Sequence, residues 1–335
     1  MGNQNDHIAV LGAGSFGTSL AMVLARNGCV TTLWGRDADA LQEFDRQRCN
    51  SRFLPECPFP PALRLNADLA STVATASHVL IAIPSHAFSG VIDAVADHLP
   101  AACTLVWATK GFEAGNARLL HEVVAARFGD DYPMAVLSGP TFAVEVAAAL
   151  PTAVTLASAN SGVAERLAKL FHNPRFRVYT SSDIIGVQVG GGVKNVMALA
   201  AGIADGLGFG SNSRAALVTR GLAELMRLGV ALGGRPETFM GLAGLGDLVL
   251  TCTDDKSRNR RAGLLLGQGF DASAVRQKIG QVVEGFDSTP EVVRLAARLG
   301  VEMPISEQVN EVLQAEVSPQ EAVQRLLGRA AGSET

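Results

Sequence analysis

The sequence is poor in aromatics, in charge and in paired cysteine. Phe, Trp and Tyr make up 5% of its 335 residues, so the interior must come from Ala, Val, Leu and Ile packed against 35 glycines. Charged residues are 18% and the net charge is −4. No basic stripe with interleaved aromatics exists, so nucleic-acid binding has no electrostatic support. The five cysteines (Cys29, Cys49, Cys57, Cys103, Cys252) are scattered and form no Cys-x-x-Cys pair. Free thiols in a reducing cytoplasm are expected. The six histidines lack ligand spacing, so no metal is expected. No Gly-x-Ser-x-Gly elbow follows a strand. Residues 1–10 lack the pattern of a signal peptide, and Asp6 weakens any myristoylation of Gly2.

What is present is a long chain, 48% hydrophobic, suggesting two domains. Up to residue 180, short apolar runs (7–12, 29–34, 79–83, 103–108, 134–137, 153–157, 175–180) alternate with helical spacing (18–27, 38–49, 117–128, 163–171). This predicts an α/β, doubly wound parallel-sheet Rossmann domain over 1–180. Helical spacing then takes over through 188–204, 214–232, 283–299, 306–312 and 319–327, predicting a mostly α-helical domain over 181–335. The stretch 184–210 is apolar enough to tempt a membrane span. Lys194, Asn195 and Asp205 interrupt it, and a charge near a bilayer centre costs at least ~2.5 kcal/mol. A buried core helix is expected instead.

Gly12-Ala13-Gly14-Ser15-Phe16-Gly17 fits G-x-G-x-x-G directly after an apolar strand and at the start of a helix. Gly12 permits the turn, Gly14 lets backbone approach a pyrophosphate, and Gly17 lets helix and strand pack closely. The helix start offers free amides and a positive dipole end to phosphates. After the second strand stands Arg36, which suits a 2′-phosphate and leans toward NADP(H). Asp37 leaves NAD(H) open and serves equally as a helix cap.

Lys194 lies in GGGVKNVMAL, apolar on both sides. A buried lysine needs a partner or loses its charge, and burial lowers its pKa toward the range of a general acid or base. The alternative is a lysine snorkelling at a helix edge. Asp247, in GLAGLGDL, reads as a helix cap, as the neighbour that positions Lys194, or as both. Lys110 follows a strand end, where open α/β sheets bind ligands, although an exposed loop lysine fits too. Ser138-Gly139-Pro140-Thr141-Phe142-Ala143 suits a tight loop against a ligand or a simple turn. Within 254–261, Ser257, Arg258 and Asn259 can grip a phosphate, or the run is a solvated face.

Taken together, the chain resembles a bacterial-type NAD(P)-dependent glycerol-3-phosphate dehydrogenase. The motifs that carry this are 12–18, 34–37, 110–113, 138–145, 192–195, 241–253, 256–261 and 282–286, in order and spanning nearly the whole chain. The resemblance implies a fold like that of 6-phosphogluconate dehydrogenase and reversible hydride transfer between NAD(P)H and dihydroxyacetone phosphate. The product it implies, sn-glycerol 3-phosphate, would feed glycerophospholipid synthesis. It further implies Lys194 as proton acceptor and donor, with Lys110 and Asp247 completing the catalytic group. Gly139, Thr141, Ser257, Arg258 and Asn259 would line the substrate. Gly12, Gly14, Ser15, Phe16, Gly17, Arg36, Lys110, Ala143, Arg258, Val282 and Glu284 would contact the dinucleotide. A homodimer is compatible with this. The competing expectations are a related 3-hydroxyacid or 6-phosphogluconate-type dehydrogenase, and a dinucleotide-sensing regulator without catalysis, for which a buried lysine has no evident use.

Overall fold

The HIAVL run that opens the first strand is buried along all but its first residue, as a strand covered on both faces requires. The computed structural model describes residues 6–328, so Gly2 lies outside the described residues. The strands are β1 (His7–Leu11), β2 (Val30–Trp34), β3 (Cys49–Asn50), β4 (Leu54–Pro58), β5 (Leu63–Asn66), β6 (His78–Ile81), β7 (Thr104–Trp107), β8 (Met134–Ser138), β9 (Thr152–Ala157) and β10 (Phe176–Ser181). Eight of them form one sheet in the order β10-β9-β8-β7-β6-β1-β2-β5, while β3 and β4 make a separate hairpin. Between them run α1 (Ser15–Arg26), α2 (Ala38–Gln47), α3 (Leu69–Val73), α4 (Phe88–Ala96), α5 (Leu120–Phe128), α6 (Ala143–Ala147) and α7 (Ser161–Phe171).

The sheet departs from the parallel prediction at one place: β8 and β9 pair antiparallel. The reason is the connection. Helix α6 has five residues, under two turns, and packs against α1, so it cannot carry the chain across the sheet to a parallel neighbour. Strand β5, the β3–β4 hairpin and helices α3, α4 and α6 also escape the sequence pattern.

Registers align the C-terminal ends of the central strands: Leu11 sits opposite both Trp34 and Ile81, and Ile81 opposite Trp107. The chain leaves β1 toward β2 on one side, and β6 flanks it on the other. The loops after β1, β2, β6, β7 and β8 therefore share one edge, where open sheets bind ligands.

The second half follows as α8 (Ile184–Gly206), α9 (Ser211–Ala231), α10 (Pro236–Phe239), α11 (Asp247–Thr253), α12 (Arg258–Gly267), α13 (Ala272–Ile279), α14 (Glu284–Leu299), α15 (Pro304–Leu313) and α16 (Pro319–Leu327), with a π-helical turn at Leu242–Gly246. Helix α8 is long and apolar enough to span a membrane, but 89% of its apolar window is buried inside the fold. Asp183 starts it by accepting from the Gly186 amide at 2.8 Å. Its glycines serve close approach. A Cβ at Gly202 would lie 2.0 Å from the Arg260 carbonyl oxygen, and one at Gly263 would lie 2.1 Å from that of Leu199. Helices α8 and α12 thus cross nearly backbone to backbone, which brings the start of α12 beside Lys194 and Asn195. Phe112, Ala117 and Leu119 from the loop after β7 belong to the helical core, so the two halves share a continuous apolar seam.

Candidate active site

The glycine turn has the shape its fingerprint implies. Gly12 sits at φ +123°, and a Cβ there would meet the Ala82 carbonyl oxygen at 2.4 Å. A Cβ on Gly17 would stand 2.0 Å from the Gly12 oxygen, whereas one on Gly14 would meet nothing within 4 Å. Strand and helix therefore pack through Gly12 and Gly17, while Gly14 faces open space at the start of α1. Ser15, Phe16 and Gly17 carry first-turn amides with no intrahelical partner. These features fit a dinucleotide pyrophosphate. Arg36 is exposed at the end of β2. Asp37 caps α2, accepting from the Ala40 amide at 3.0 Å.

Across the cleft, one carboxylate holds two ammonium groups. Asp247, the first residue of α11 and fully buried, accepts from Lys194 Nζ at 2.7 Å through Oδ1 and from Lys110 Nζ at 2.7 Å through Oδ2. Lys194 comes from the middle of α8 and is 7% exposed. Lys110 reaches in from the loop after β7 and also donates to the Gly139 carbonyl at 3.1 Å. Its ammonium stands 5.7 Å from the centre of the Phe16 ring, joining this centre to the glycine turn. The pair of lysines against one aspartate leaves one net positive charge. Burial, reinforced by the second ammonium, pulls the Lys110 pKa down to about 8, against the attraction of Asp247. The expectation of an exposed loop lysine at 110 is overturned. So is a snorkelling edge for Lys194.

Asn195, next to Lys194, is 3% exposed. Its Oδ1 accepts from Asn259 Nδ2 at 2.9 Å, while Asn259 Oδ1 accepts from the Gly285 amide at 2.9 Å. This chain fixes both amides and leaves the Asn195 Nδ2 as the end not used by Asn259. That Nδ2 is buried without a partner. Ser257 caps α12, accepting from the Arg260 amide, and shares a hydrogen bond with Thr251. Arg258 has no hydrogen-bond or ion-pair partner among the described residues, and burial lowers its pKa. Thr141 donates to the Gly139 carbonyl at 3.1 Å, and Ala143 opens α6. Glu284, opening α14, accepts from the Ser85 hydroxyl at 3.1 Å; burial raises its pKa to about 7. Val282 is 37% exposed. Among the described residues, no group of three His, Cys, Asp or Glu could hold a metal.

The family model for the NAD-dependent glycerol-3-phosphate dehydrogenase N-terminus matches residues 7–164, and that for the C-terminus matches 183–324. The chain belongs to the NAD-dependent glycerol-3-phosphate dehydrogenase family. It is 54% identical over 331 residues to the glycerol-3-phosphate dehydrogenase (NAD(P)+) of Escherichia coli strain K12 / DH10B, covering 98% of each chain. The crystal structure of glycerol-3-phosphate dehydrogenase from Coxiella burnetii aligns at TM-score 0.95 with 50% identity, covering 98% of this chain and 100% of that one. A D-mandelate dehydrogenase, 14% identical at TM-score 0.62 over 95% of this chain and 99% of that one, shares the fold alone.

In this glycerol-3-phosphate dehydrogenase family member, a nicotinamide dinucleotide is the cofactor class, and of the residues predicted from sequence Lys194, Lys110 and Asp247 meet directly, with Gly139 and Phe16 beside Lys110. Two contributors escaped prediction. Asn195 carried a usable signal, an amide between Val193 and Val196 in an apolar helix. Ser85 carried none, since its place opposite Glu284 depends on how the two halves dock.

Proposed function

We propose that the chain catalyses reversible reduction of dihydroxyacetone phosphate to sn-glycerol 3-phosphate with NAD(P)H, with Lys194 as the general acid and base. The observation that carries this is the single buried carboxylate of Asp247 bonded to both Lys194 and Lys110. When bound, the nicotinamide supplies or accepts the hydride. The chain must supply a proton and an electrostatic grip. Lys194 Nζ gives a proton to the forming alkoxide in reduction and takes it back in oxidation. Asp247 fixes that amine by its hydrogen bond and sets its negative charge against the two lysines. Lys110 faces the developing negative charge. Arg258, which makes no hydrogen bond or ion pair among the described residues, binds the phosphate, with the unpaired buried Nδ2 of Asn195 nearby as a further donor.

The bonds Ser257 and Asn259 already make support a positioning role for both, at the substrate's edge. Gly139 and Thr141 line the opposite wall. Gly12, Gly14, Ser15, Phe16, Gly17 and Ala143 would hold the dinucleotide from one half, and Arg258, Val282 and Glu284 from the other. Arg36, exposed and with no hydrogen-bond or ion-pair partner among the described residues, supports a preference for NADP(H). We divide the chain into working halves, 1–180 and 181–335, and assign the reaction to the cytoplasm, where its product feeds phospholipid synthesis.

The test is an assay of dihydroxyacetone phosphate reduction with NADPH and NADH, in the native chain and in Lys194→Ala. The variant should keep cofactor affinity by calorimetry and lose at least 100-fold in turnover, the low end for general acid–base catalysis. Near-native turnover in Lys194→Ala would remove the amine from the mechanism.

A further inference from the structure

A cavity of about 290 Å³ lies far from the cleft, among Val23, Arg26, Val146, Leu150, Arg175 and Phe176. It sits at the C-terminal end of α1, whose other end carries the glycine turn. Twelve residues of helix separate the two, ~18 Å at 1.5 Å per residue. The walls are mainly apolar, with the hydrogen-bonded pair Asn27 and Asn173 among them, and the rim is cationic. Arg26 Nη2 donates to the Ala147 carbonyl at 2.7 Å, and Arg175 Nη1 to that of Ala149 at 3.3 Å. Each guanidinium so uses one of its five N–H groups, Arg26 on the last residue of α6 and Arg175 on the turn that follows it. Neither lies within ion-pair distance of a carboxylate among the described residues. Two positive charges therefore flank an apolar hollow with nothing to balance them. Ala149 holds the left-handed conformation at φ +56°, which turns the chain so that Leu150, 47% exposed, stands at the mouth.

We propose that this cavity is a second ligand site, taking a short amphipathic anion: a carboxylate or phosphate head on an unbranched apolar chain. The head meets the free N–H groups of Arg26 and Arg175, in the forked geometry that guanidinium offers oxyanions. The tail lies against Val23, Val146 and Phe176. The volume is at the lower end for small-molecule sites, which begin at about 300 Å³, so the chain is short.

Titration calorimetry on the enzyme saturated with NADPH tests this, using sodium octanoate as the first probe. One octanoate should bind per chain. Octanol, which lacks the charge, and inorganic phosphate, which lacks the tail, should each bind at least tenfold more weakly. Octyl phosphate against octanoate then tells which head group is preferred. The double variant Arg26→Gln/Arg175→Gln should lose at least tenfold in octanoate affinity. Leu150→Glu, at an exposed position that leaves the fold intact, should do the same. Turnover of dihydroxyacetone phosphate should be unchanged in both variants. Octanoate that fails to bind at about 10 mM, or that binds both variants as well as the native enzyme, overturns the proposal.

Discussion

Asp247→Asn keeps the shape of the side chain and removes its charge, leaving two ammonium groups around a neutral amide. Each now lies 2.7 Å from a carboxylate oxygen with 0% exposure. Removing one member of a buried ion pair costs about 3–5 kcal/mol, because the remaining charge is left without compensation. The variant has one escape. Lys110, already lowered to about 8 in the native protein, can shed its proton at a lower pH still.

The sign follows from proton counting. An unfolded lysine titrates near 10.4, so the folded native chain binds fewer protons than the unfolded one between about 8 and 10.4, and its stability rises with pH there. In Asp247→Asn the rise starts at lower pH. The deficit against the native chain therefore shrinks as pH climbs toward 8, by about 1.4 kcal/mol per unit, and is constant above it. Urea unfolding of both proteins at pH 6, 7, 8 and 9 measures this. Equal deficits at pH 6 and pH 8, or no deficit at either, would refute the claim that Asp247 balances two buried charges.

Three further outcomes are expected. Arg258→Ala should raise the KM for dihydroxyacetone phosphate at least tenfold, since a hydrogen bond to a charged group is worth about 1.5–3 kcal/mol, with NADPH affinity changing less; initial-rate kinetics decide it, and an unchanged KM moves the phosphate site elsewhere. Gly12→Ala and Gly14→Ala should separate stability from binding. The first forces a Cβ to 2.4 Å from the Ala82 oxygen and should destabilise the fold by several kcal/mol, whereas the second meets no protein atom and should cost cofactor affinity instead; thermal melts with and without NADPH distinguish them. Arg36→Ala should lower kcat/KM for NADPH at least tenfold while leaving that for NADH within a factor of two or three; an equal loss for both would show that Arg36 does not read the 2′-phosphate.

The register of glycines in GAGSFG, Arg36 after the second strand, and a lysine between valines in a helix are local patterns. Each reports a local physical demand: a turn with positive φ, an exposed strand end, a charge carried into an apolar helix. These were legible by inspection, as were the two-part architecture and most of its elements. The antiparallel β8–β9 pair was not, because it depends on the path α6 takes rather than on any residue in the strands. Asp247 could be read as a cap or as a partner, and Lys110 as buried or exposed; only the docking of α11 and the loop after β7 against α8 decided between these. Likewise, the hydrogen bonds of Asn259 and Ser257 depend on tertiary packing, which brings Asn195, Thr251 and Gly285 within bonding distance. Sequence governs what each segment can do alone, through backbone sterics and the cost of burying charge. Which charges share a carboxylate is a property of three segments meeting, and that depends on packing between residues as far apart as 110 and 247.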